Sequence, residues 1–536
     1  MLPHGLCPLT IRAALARTVA LVPDVEAVVA GDGRVTYAQL ADGVGSLAAA
    51  LAASGIRPGD RVGMCLPNGV RWVELFLALG SVGAVAVPIN TRFRQDEFAF
   101  ACRHSRLAAL FTVDRFLGQD FAAMLRAIGP VDGLRQLVVL GTDLPDGAVA
   151  FDAWRMGVAP MHGPATPGPA PPGPATPDPA TPDDLLLMQY TSGTTSFPKG
   201  VLLTHANMLG NAFVSGCRIG LRAGDRFHSA RPFFHVSGST LSVLACLQHG
   251  VTLVTMDRFD AAAALRLMED ERCTHFSGND TMALMLLNDP SRADRRLHLR
   301  GAWAAASPTV LARIVDELGA TECVAGYGLS ESSPNIAQSC WWEPLEIRTA
   351  ARMRPQPGLA VEVRGPDNVA LAPGEAGEIT VRGWTVMRGY FDRPEETAAT
   401  LDAAGWLRTG DLGRLGTDGR LEFLGRLRDI VRVGGENVSP AEVEDVLHRH
   451  PAIRQAAVVG VPDPRLQEIV VAFVILNDGA NADAASIMAW AQANMAKYKA
   501  PRHVWVVDAF EGMTASSKIQ KKPMAAQARR LLGLDA

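Results

Sequence analysis

The sequence lacks an excess of either charge: 51 Lys and Arg stand against 55 Asp and Glu, a formal net charge of −4. That near-balance excludes a broadly basic nucleic-acid binder, which needs a positive footprint to hold phosphates. Paired cysteines are also missing. The eight present, at positions 7, 65, 102, 217, 246, 273, 323 and 340, include no CxxC spacing. Neither a disulfide framework nor a zinc cluster is expected, and the thiols read as free in a reducing compartment. Arg12 and Arg17 interrupt the first seventeen residues, so no basic start leads into an unbroken apolar run. A cytoplasmic protein is expected.

No uninterrupted apolar span is present either. Pro232 to Met256 has no Asp, Glu, Lys or Arg and is long enough to cross a bilayer, but Pro232, Gly238 and Gly250 punctuate it and Gln248 and His249 are polar. A buried helix followed by the strand-like VTLVT fits better than a membrane span. What remains is globular in texture, 48% apolar and 20% charged over 536 residues. At roughly 100 to 200 residues per domain, about three or four compact units are expected.

Thr36-Tyr-Ala-Gln39 is a capping-box sequence, and Leu40, Val44, Leu47 and Leu51 then share one helical face up to Gly55. This helix is expected to start the fold. Strand-like Arg61 to Leu66, a helical pattern from Val70 and strand-like Ala84 to Val87 follow, an alternation that argues for a mostly parallel α/β sheet. Ten of the 35 prolines fall between Pro160 and Pro182, with GPATP repeated, which predicts an extended surface spacer. From about Leu421 the elements shorten: LEFLG, DIVRVGGENV, a helix opened by Ser439-Pro-Ala-Glu442, then QAAVVGV, EIVVAFVIL, a helical stretch to Lys497 and HVWVVD. The last hundred residues read as a small α+β domain.

The sharpest chemical signal is Tyr190-Thr-Ser-Gly-Thr-Thr-Ser-Phe-Pro-Lys-Gly200, directly after the apolar strand pattern LLLM. Small hydroxylated residues let N–H and O–H donors converge on anionic oxygens, and Lys199 adds a point charge, so the segment suits phosphate. It is not the common nucleotide loop, which would need Gly-Lys-Ser/Thr where Pro198-Lys199-Gly200 stands. Three further segments carry chemistry. Gly326-Tyr-Gly-Leu-Ser-Glu331 joins an aromatic ring, a short donor and a hard oxygen ligand. Trp406-Leu-Arg-Thr-Gly-Asp411 ends in a carboxylate suited to a diol. Thr514-Ala-Ser-Ser-Lys518-Ile519 offers a positive charge able to bridge two anions. Taken singly, each is also a plausible turn, cap or solvated surface group.

Together, in this order and spanning Thr36 to Lys521, these segments resemble the motifs of the adenylate-forming superfamily: acyl- and aryl-CoA synthetases, luciferases and peptide-synthetase adenylation domains. The resemblance is nearest to the acyl-CoA synthetases. It implies an α/β fold with a large N-terminal lobe of mostly parallel sheets flanked by helices, residues 1–427, and a small mobile α+β C-terminal domain, residues 428–536, hinged near Arg428. It also implies roles: Thr191, Ser192, Gly193, Thr194, Thr195 and Lys199 on phosphate; Gly326 and Tyr327 on adenine; Ser330 on the α-phosphate; Glu331 with Thr191 on Mg²⁺; and Asp411 with Arg426 on ribose. Lys518, with Lys199 and Glu331, is the catalytic expectation, and Arg432, Gly434 and Gly435 line a thiol tunnel. The acyl pocket falls to His235, Val236, Gly238, Ser277, Asn279, Ala304, Ala306 and Gly328. Ser196 and Ser517 stand where the family has glycine, and Arg428 where lysine or aspartate is usual.

The implied activity is an ATP- and Mg²⁺-dependent acid–thiol ligase that makes an acyl-adenylate, releases pyrophosphate and passes the acyl group to coenzyme A. Carrier-protein loading, a luciferase-like oxygenase and a non-catalytic nucleotide-binding scaffold stay open as alternatives. His235 stands where amino-acid-activating relatives carry aspartate, so a fatty or aryl acid is expected, with walls small and nearly neutral around Ser277 to Asn279 and Ala304 to Ala306. The partners expected are the acid, ATP and coenzyme A, with no nucleic acid, no membrane span and either a monomer or a homodimer.

Overall fold

A computed structural model describes residues 9–157, 178–191, 198–511 and 519–534. The first element is not the expected one: a helix over Ile11–Leu21, capped by Thr10, precedes it and turns Ile11, Ala14, Leu15 and Thr18 inward. Arg12 and Arg17, which broke the apolar pattern in the sequence, lie off that buried set. The helix Tyr37–Ala53 then forms as expected. Thr36 Oγ1 accepts from the Gln39 backbone N–H at 3.2 Å and the Gln39 side-chain oxygen accepts from Thr36 N–H at 2.9 Å. Leu40, Val44, Leu47 and Leu51 are buried.

Strands Arg61–Cys65 and Val85–Pro88 pair in parallel around the helix Val70–Ser81 and belong to an eight-stranded sheet. One end of that sheet is antiparallel, where Leu185–Thr191, Lys199–Thr204 and Gly389–Tyr390 run side by side. A nine-stranded sheet has the parallel run Glu26–Ala30, Thr252–Val254, Arg226–Ser229, His275–Asn279, Gly301–Ala305 and Val324–Gly328, with antiparallel strands at both edges. One continuous apolar cluster unites both sheets with the helices around them. A third, wholly antiparallel sheet of Ala360–Arg364, Ala376–Arg382, Leu407–Leu415 and Leu421–Arg426 was not anticipated. Its inner strand Leu407–Leu415 alternates buried with more exposed positions through Gly413, and its outer strand Ala360–Arg364 buries only Val363, so no continuous apolar run marks them.

Between Pro232 and Met256 the chain forms a short helix Val236–Gly238, a π-helical stretch Ser239–Leu244, a helix Ala245–His249 and a strand Thr252–Val254. Gln248 donates to the Leu209 carbonyl at 3.4 Å and His249 Nε2 lies 3.0 Å from the Phe213 carbonyl, so both polar side chains find partners inside the protein. Among the described residues no helix is long and apolar enough to cross a membrane. Most of the proline-rich segment lies outside the described residues. Its last part departs from a free spacer: Asp178 accepts from Thr10 Oγ1 at 2.6 Å, and Ala180 is buried.

The small domain is a five-stranded sheet, including the long hairpin Ile453–Asp463 and Gln467–Leu476, with helices Pro440–Leu447, Ala484–Asn494 and Lys521–Leu531. Two apolar clusters cover its two faces. Ser439 accepts from Glu442 N–H at 3.4 Å with Pro440 at the first helical position, but only this half of the expected cap is made. Lys499 Nζ, 2.5 Å away, engages the Glu442 carboxylate instead. The domain docks through Asp445, whose carboxylate accepts from Thr309 N–H at 3.0 Å, and through the Arg454 carbonyl, 3.4 Å from Asn288 Nδ2.

Candidate active site

Strands Leu185–Thr191 and Lys199–Thr204 form a hairpin whose register sets Thr191 opposite Lys199. Both ends of the expected phosphate loop are therefore held at one strand terminus, with Thr191 Oγ1 donating to the Lys199 carbonyl at 3.5 Å. Ser192, Gly193, Thr194 and Thr195 lie outside the described residues. Lys199 Nζ sits 4.8 Å above the centroid of the Tyr390 ring. The Tyr390 hydroxyl in turn donates to Glu331 Oε1 at 2.8 Å. Glu331 lies in the short 3₁₀ turn Ser330–Ser332, just past the strand Val324–Gly328. Tyr390 thus joins the loop lysine to the carboxylate expected to hold the metal. Nothing in the local sequence marks Tyr390, because its position comes from pairing with Val201 across the sheet edge.

Tyr327, Asp411 and Arg426 also meet. Register in the third sheet sets Asp411 opposite Arg426, and Arg426 Nε lies 3.2 Å from Asp411 Oδ1. The Tyr327 hydroxyl donates to Asp411 Oδ2 at 2.9 Å. Burial, together with the Asp411 carboxylate, pushes the Tyr327 phenol well above its ordinary value and keeps it a donor. Asp411 is only 2% exposed, so its charge rests on these donors. The Tyr327 ring stacks on Phe423 with centroids 5.2 Å apart and planes at 25°. Phe423 was missed in the sequence, and it makes the expected adenine platform a two-ring stack. Gly328 is compulsory: a Cβ there would lie 1.8 Å from the Pro334 carbonyl oxygen.

The expected acyl wall is assembled with three corrections. His235 caps the helix Val236–Gly238, its Nδ1 3.0 Å from Ser237 Oγ and accepting from Ser237 N–H at 3.3 Å. Gly238 fits because a Cβ would meet the Pro232 carbonyl at 2.2 Å, and Val236 is fully buried. Asn279, expected to meet a polar substituent, uses its side-chain oxygen to cap the helix Asp280–Leu287, accepting from Met282 N–H at 2.9 Å. Ser277 pairs with Trp303 and Gly278 with Ala304, so Ser277 and Ala304 face opposite sides of the sheet and do not form one wall. Ala304 is buried and Ala306 half-buried. Nor is the wall nearly neutral. Arg231 Nε donates to Ser277 Oγ at 2.8 Å, its terminal nitrogen Nη2 reaches the Gly278 carbonyl, and its guanidinium lies 4.3 Å over the Trp303 ring.

Behind the end of this sheet, Asp280 accepts from Ser307 N–H at 2.9 Å. Burial pushes its carboxyl up to about 6, against the pull of that N–H, and the Asp445 carboxylate of the small domain acts in the same upward direction.

Arg428 lies exposed in a 3₁₀ turn, Leu427–Asp429, between the third sheet and the small domain, 3.6 Å from Asp429. Gly434 and Gly435 take φ of 60° and 94° in the tight turn between Val431–Val433 and Glu436–Val438. Arg432 N–H donates to Glu468 at 2.8 Å. No hydrogen bond or ion pair among the described residues links Arg432, Gly434 or Gly435 to Lys199, Tyr327 or Glu331. Lys518 lies outside the described residues.

Comparisons with known proteins bear on the family and the fold. Residues 15–391 match the AMP-binding enzyme family, and residues 442–518 match the AMP-binding enzyme C-terminal domain. The chain is 37% identical over 517 residues to the 3-[(3aS,4S,7aS)-7a-methyl-1,5-dioxo-octahydro-1H-inden-4-yl]propanoyl:CoA ligase of Mycobacterium tuberculosis, covering 96% of this chain and 97% of that protein. It is 34% identical to the acyl-CoA ligase SID4 of Ajellomyces capsulatus, over 95% of this chain and 90% of the relative. Its fold superposes with a TM-score of 0.86 on the anthranilate CoA ligase AuaEII in complex with anthranoyl-AMP, at 25% identity and covering 98% and 99% of the two chains.

Proposed function

We propose, from the premise that the chain belongs to the AMP-binding enzymes and is an ATP-dependent acid–CoA ligase working through an acyl-adenylate, a division of that reaction among its residues. The observation that carries the proposal is a pair of clusters that flank the end of the strand Val324–Gly328, Lys199–Tyr390–Glu331 joined through Tyr390 and Arg426–Asp411–Tyr327 joined through Asp411. The first is cationic and acidic at once, as a phosphate and metal site requires. The second offers a buried carboxylate beside stacked rings, as a nucleoside requires.

In the first half-reaction a carboxylate oxygen of the acid attacks the α-phosphorus of ATP and pyrophosphate leaves. Two anions must approach, so positive charge has to be aimed at the oxygens between them. Lys518 supplies it, while Lys199 and the hydroxyls of Thr191, Ser192, Thr194 and Thr195, with the Gly193 backbone, hold the phosphates. Ser330 donates to the α-phosphate, Gly326 and Tyr327 border the base, and Asp411 accepts from the ribose hydroxyls with Arg426 fixing its orientation. Glu331 and Thr191 offer hard oxygen donors of the kind Mg²⁺ takes together with substrate phosphates, so the donor set fits that ion. When bound, the ion would neutralise developing phosphate charge.

In the second half-reaction the small domain rotates about Arg428, and the loop of Arg432, Gly434 and Gly435 takes the place of Lys518. The coenzyme A sulfur then attacks the adenylate carbonyl and AMP leaves with the electron pair of the broken bond. The exposed Arg428 and the few polar contacts of Asp445 and Asn288 support a joint able to turn.

The acid is a fatty or aryl acid, not an α-amino acid. His235, Val236, Gly238 and Gly328 offer no carboxylate to pair an ammonium, and an unpaired buried ammonium is costly. The test is acid-dependent pyrophosphate release from ATP over a panel of acids and their α-amino analogues, with coenzyme A, with a phosphopantetheinylated carrier protein and with neither. The proposal expects thioester with coenzyme A and preference for the non-amino member of each pair. Turnover restricted to the carrier protein, or consistent preference for amino analogues, would contradict it.

A further inference from the structure

Arg231 is a buried cation without a counter-ion among the described residues. It follows the strand Arg226–Ser229, is 6% exposed, and its backbone carbonyl accepts from Asn68 Nδ2 at 2.9 Å. Its side-chain partners are all neutral: the Ser277 hydroxyl, the Gly278 carbonyl and the Trp303 ring. Its second terminal nitrogen, Nη1, has no hydrogen-bond partner among the described residues. No described carboxylate lies at ion-pair distance, and the chain outside the described residues holds a single acidic side chain, Asp535 near the C-terminus. Burial alone lowers the guanidinium, to about 9, which leaves it charged at neutral pH.

Against it stands a second orphan. Trp303 Nε1 is buried with no hydrogen-bond partner, and the indole fills the space that a side chain at position 326 would take, a Cβ on Gly326 falling 2.5 Å from that nitrogen. Guanidinium and indole N–H can only donate. The buried, unpartnered indole N–H and the neighbouring unpaired Nη1, beside Ser277, Gly278 and Gly326 on adjacent strands, describe a site that wants an acceptor, and a buried donor such as Trp303 Nε1 is costly to leave unmade.

We propose that Arg231 and Trp303 form a specificity site for the far end of the acid, selecting acids that carry a second acceptor oxygen, a ketone carbonyl or a second carboxylate, remote from the carboxylate being activated. This rests on the reading of the chain as an acid–CoA ligase with its acyl pocket beside Ser277 and Gly326. The guanidinium would donate to either oxygen, with a carboxylate adding charge neutralisation and a ketone adding only hydrogen bonds.

The experiment uses the full-length protein and matched straight-chain acids at each length from four to twelve carbons: the monocarboxylic acid, its oxo analogue with the ketone one carbon from the far end, and the dicarboxylic acid. Specificity constants for acid-dependent pyrophosphate release are measured for the wild type, Arg231→Met, Arg231→Lys and Trp303→Phe. At its best length the wild type should prefer an oxygen-bearing acid at least tenfold, and Arg231→Met should lose far more on the oxo and dicarboxylic acids than on the plain acid, so that the order is abolished or inverted. Trp303→Phe, which keeps a ring but loses the N–H, should shrink the preference several-fold. Arg231→Lys should retain a dicarboxylate preference more than an oxo preference, which separates the two sources of the acceptor. A wild type that prefers the plain acid would overturn the proposal, as would equal losses on all three acids in both Arg231→Met and Trp303→Phe. Absence of pyrophosphate release with every acid would instead defeat the ligase reading beneath it.

Discussion

Tyr390 and Glu331 are tied by a hydrogen bond of 2.8 Å from phenol to carboxylate, and the same ring carries Lys199 Nζ 4.8 Å above its centroid. One side chain therefore holds both the lysine proposed to bind phosphate and the carboxylate proposed to hold Mg²⁺. Such preorganisation matters because a carboxylate that must reorient on binding loses part of its advantage in the transition state.

Tyr390→Phe keeps the ring under Lys199 and removes only the hydroxyl. A charge-assisted hydrogen bond of about 1.5 kcal/mol corresponds to roughly a tenfold loss. The expected result is that fall in kcat/KM for pyrophosphate release, with the Mg²⁺ concentration at half-maximal rate raised. Measuring rate against Mg²⁺ at saturating ATP checks it. An unchanged Mg²⁺ dependence would show that Glu331 needs no help from Tyr390.

Asp280 gives the protein a pH signature. Its carboxyl is raised from 3.8 to about 6, so the folded state binds its proton more tightly than the unfolded chain. Its contribution favours folding at low pH and is lost as pH rises through about 6, a change on the order of 3 kcal/mol. Asp280→Asn keeps an acceptor for Ser307 N–H and removes the titration. It should raise the melting temperature by a few degrees at pH 7.5, with the gain shrinking as pH falls from 6 toward 4. Equal effects at both ends of that range would contradict this origin.

The proline-rich segment should be dispensable only up to its anchored end. Replacing residues 163–177 by a short Gly/Ser linker is expected to leave both melting temperature and adenylation nearly unchanged. Asp178→Ala, which removes the acceptor for Thr10 Oγ1 at 2.6 Å, should lower the melting temperature by a degree or two. Thermal denaturation of the two variants side by side distinguishes spacer from anchor.

What could be read from the sequence follows the range over which each feature is determined. The cap at Thr36 and Gln39 is written in four consecutive residues and forms as written. Tyr327, Asp411 and Arg426 were found separately by motif, and their meeting needed only that the motifs share a fold. Contacts made across sheets were not legible: Tyr390 reaches Glu331 through strand pairing at a sheet edge, Phe423 covers Tyr327 from the third sheet, and Lys499 takes Glu442 away from its cap across 57 residues. Arg231 was visible as a letter beside Pro232, but its isolation from every described carboxylate is a property of the packed interior. The split of Ser277 and Ala304 onto opposite faces likewise depends on register, which alternation alone does not fix.

The central claim is that one cleft hosts two half-reactions, with Lys518 serving only the first and the Gly434 loop only the second. The direct measurement supplies purified Lys518→Ala and Gly434→Leu with acid and ATP in one assay, and with preformed acyl-adenylate and coenzyme A in the other. Lys518→Ala should lose adenylate formation by several hundredfold or more yet make thioester from supplied adenylate at a near-normal rate. Gly434→Leu, which places a side chain at φ 60° beside the expected thiol path, should do the reverse. Equal losses in both assays for either variant would contradict the account.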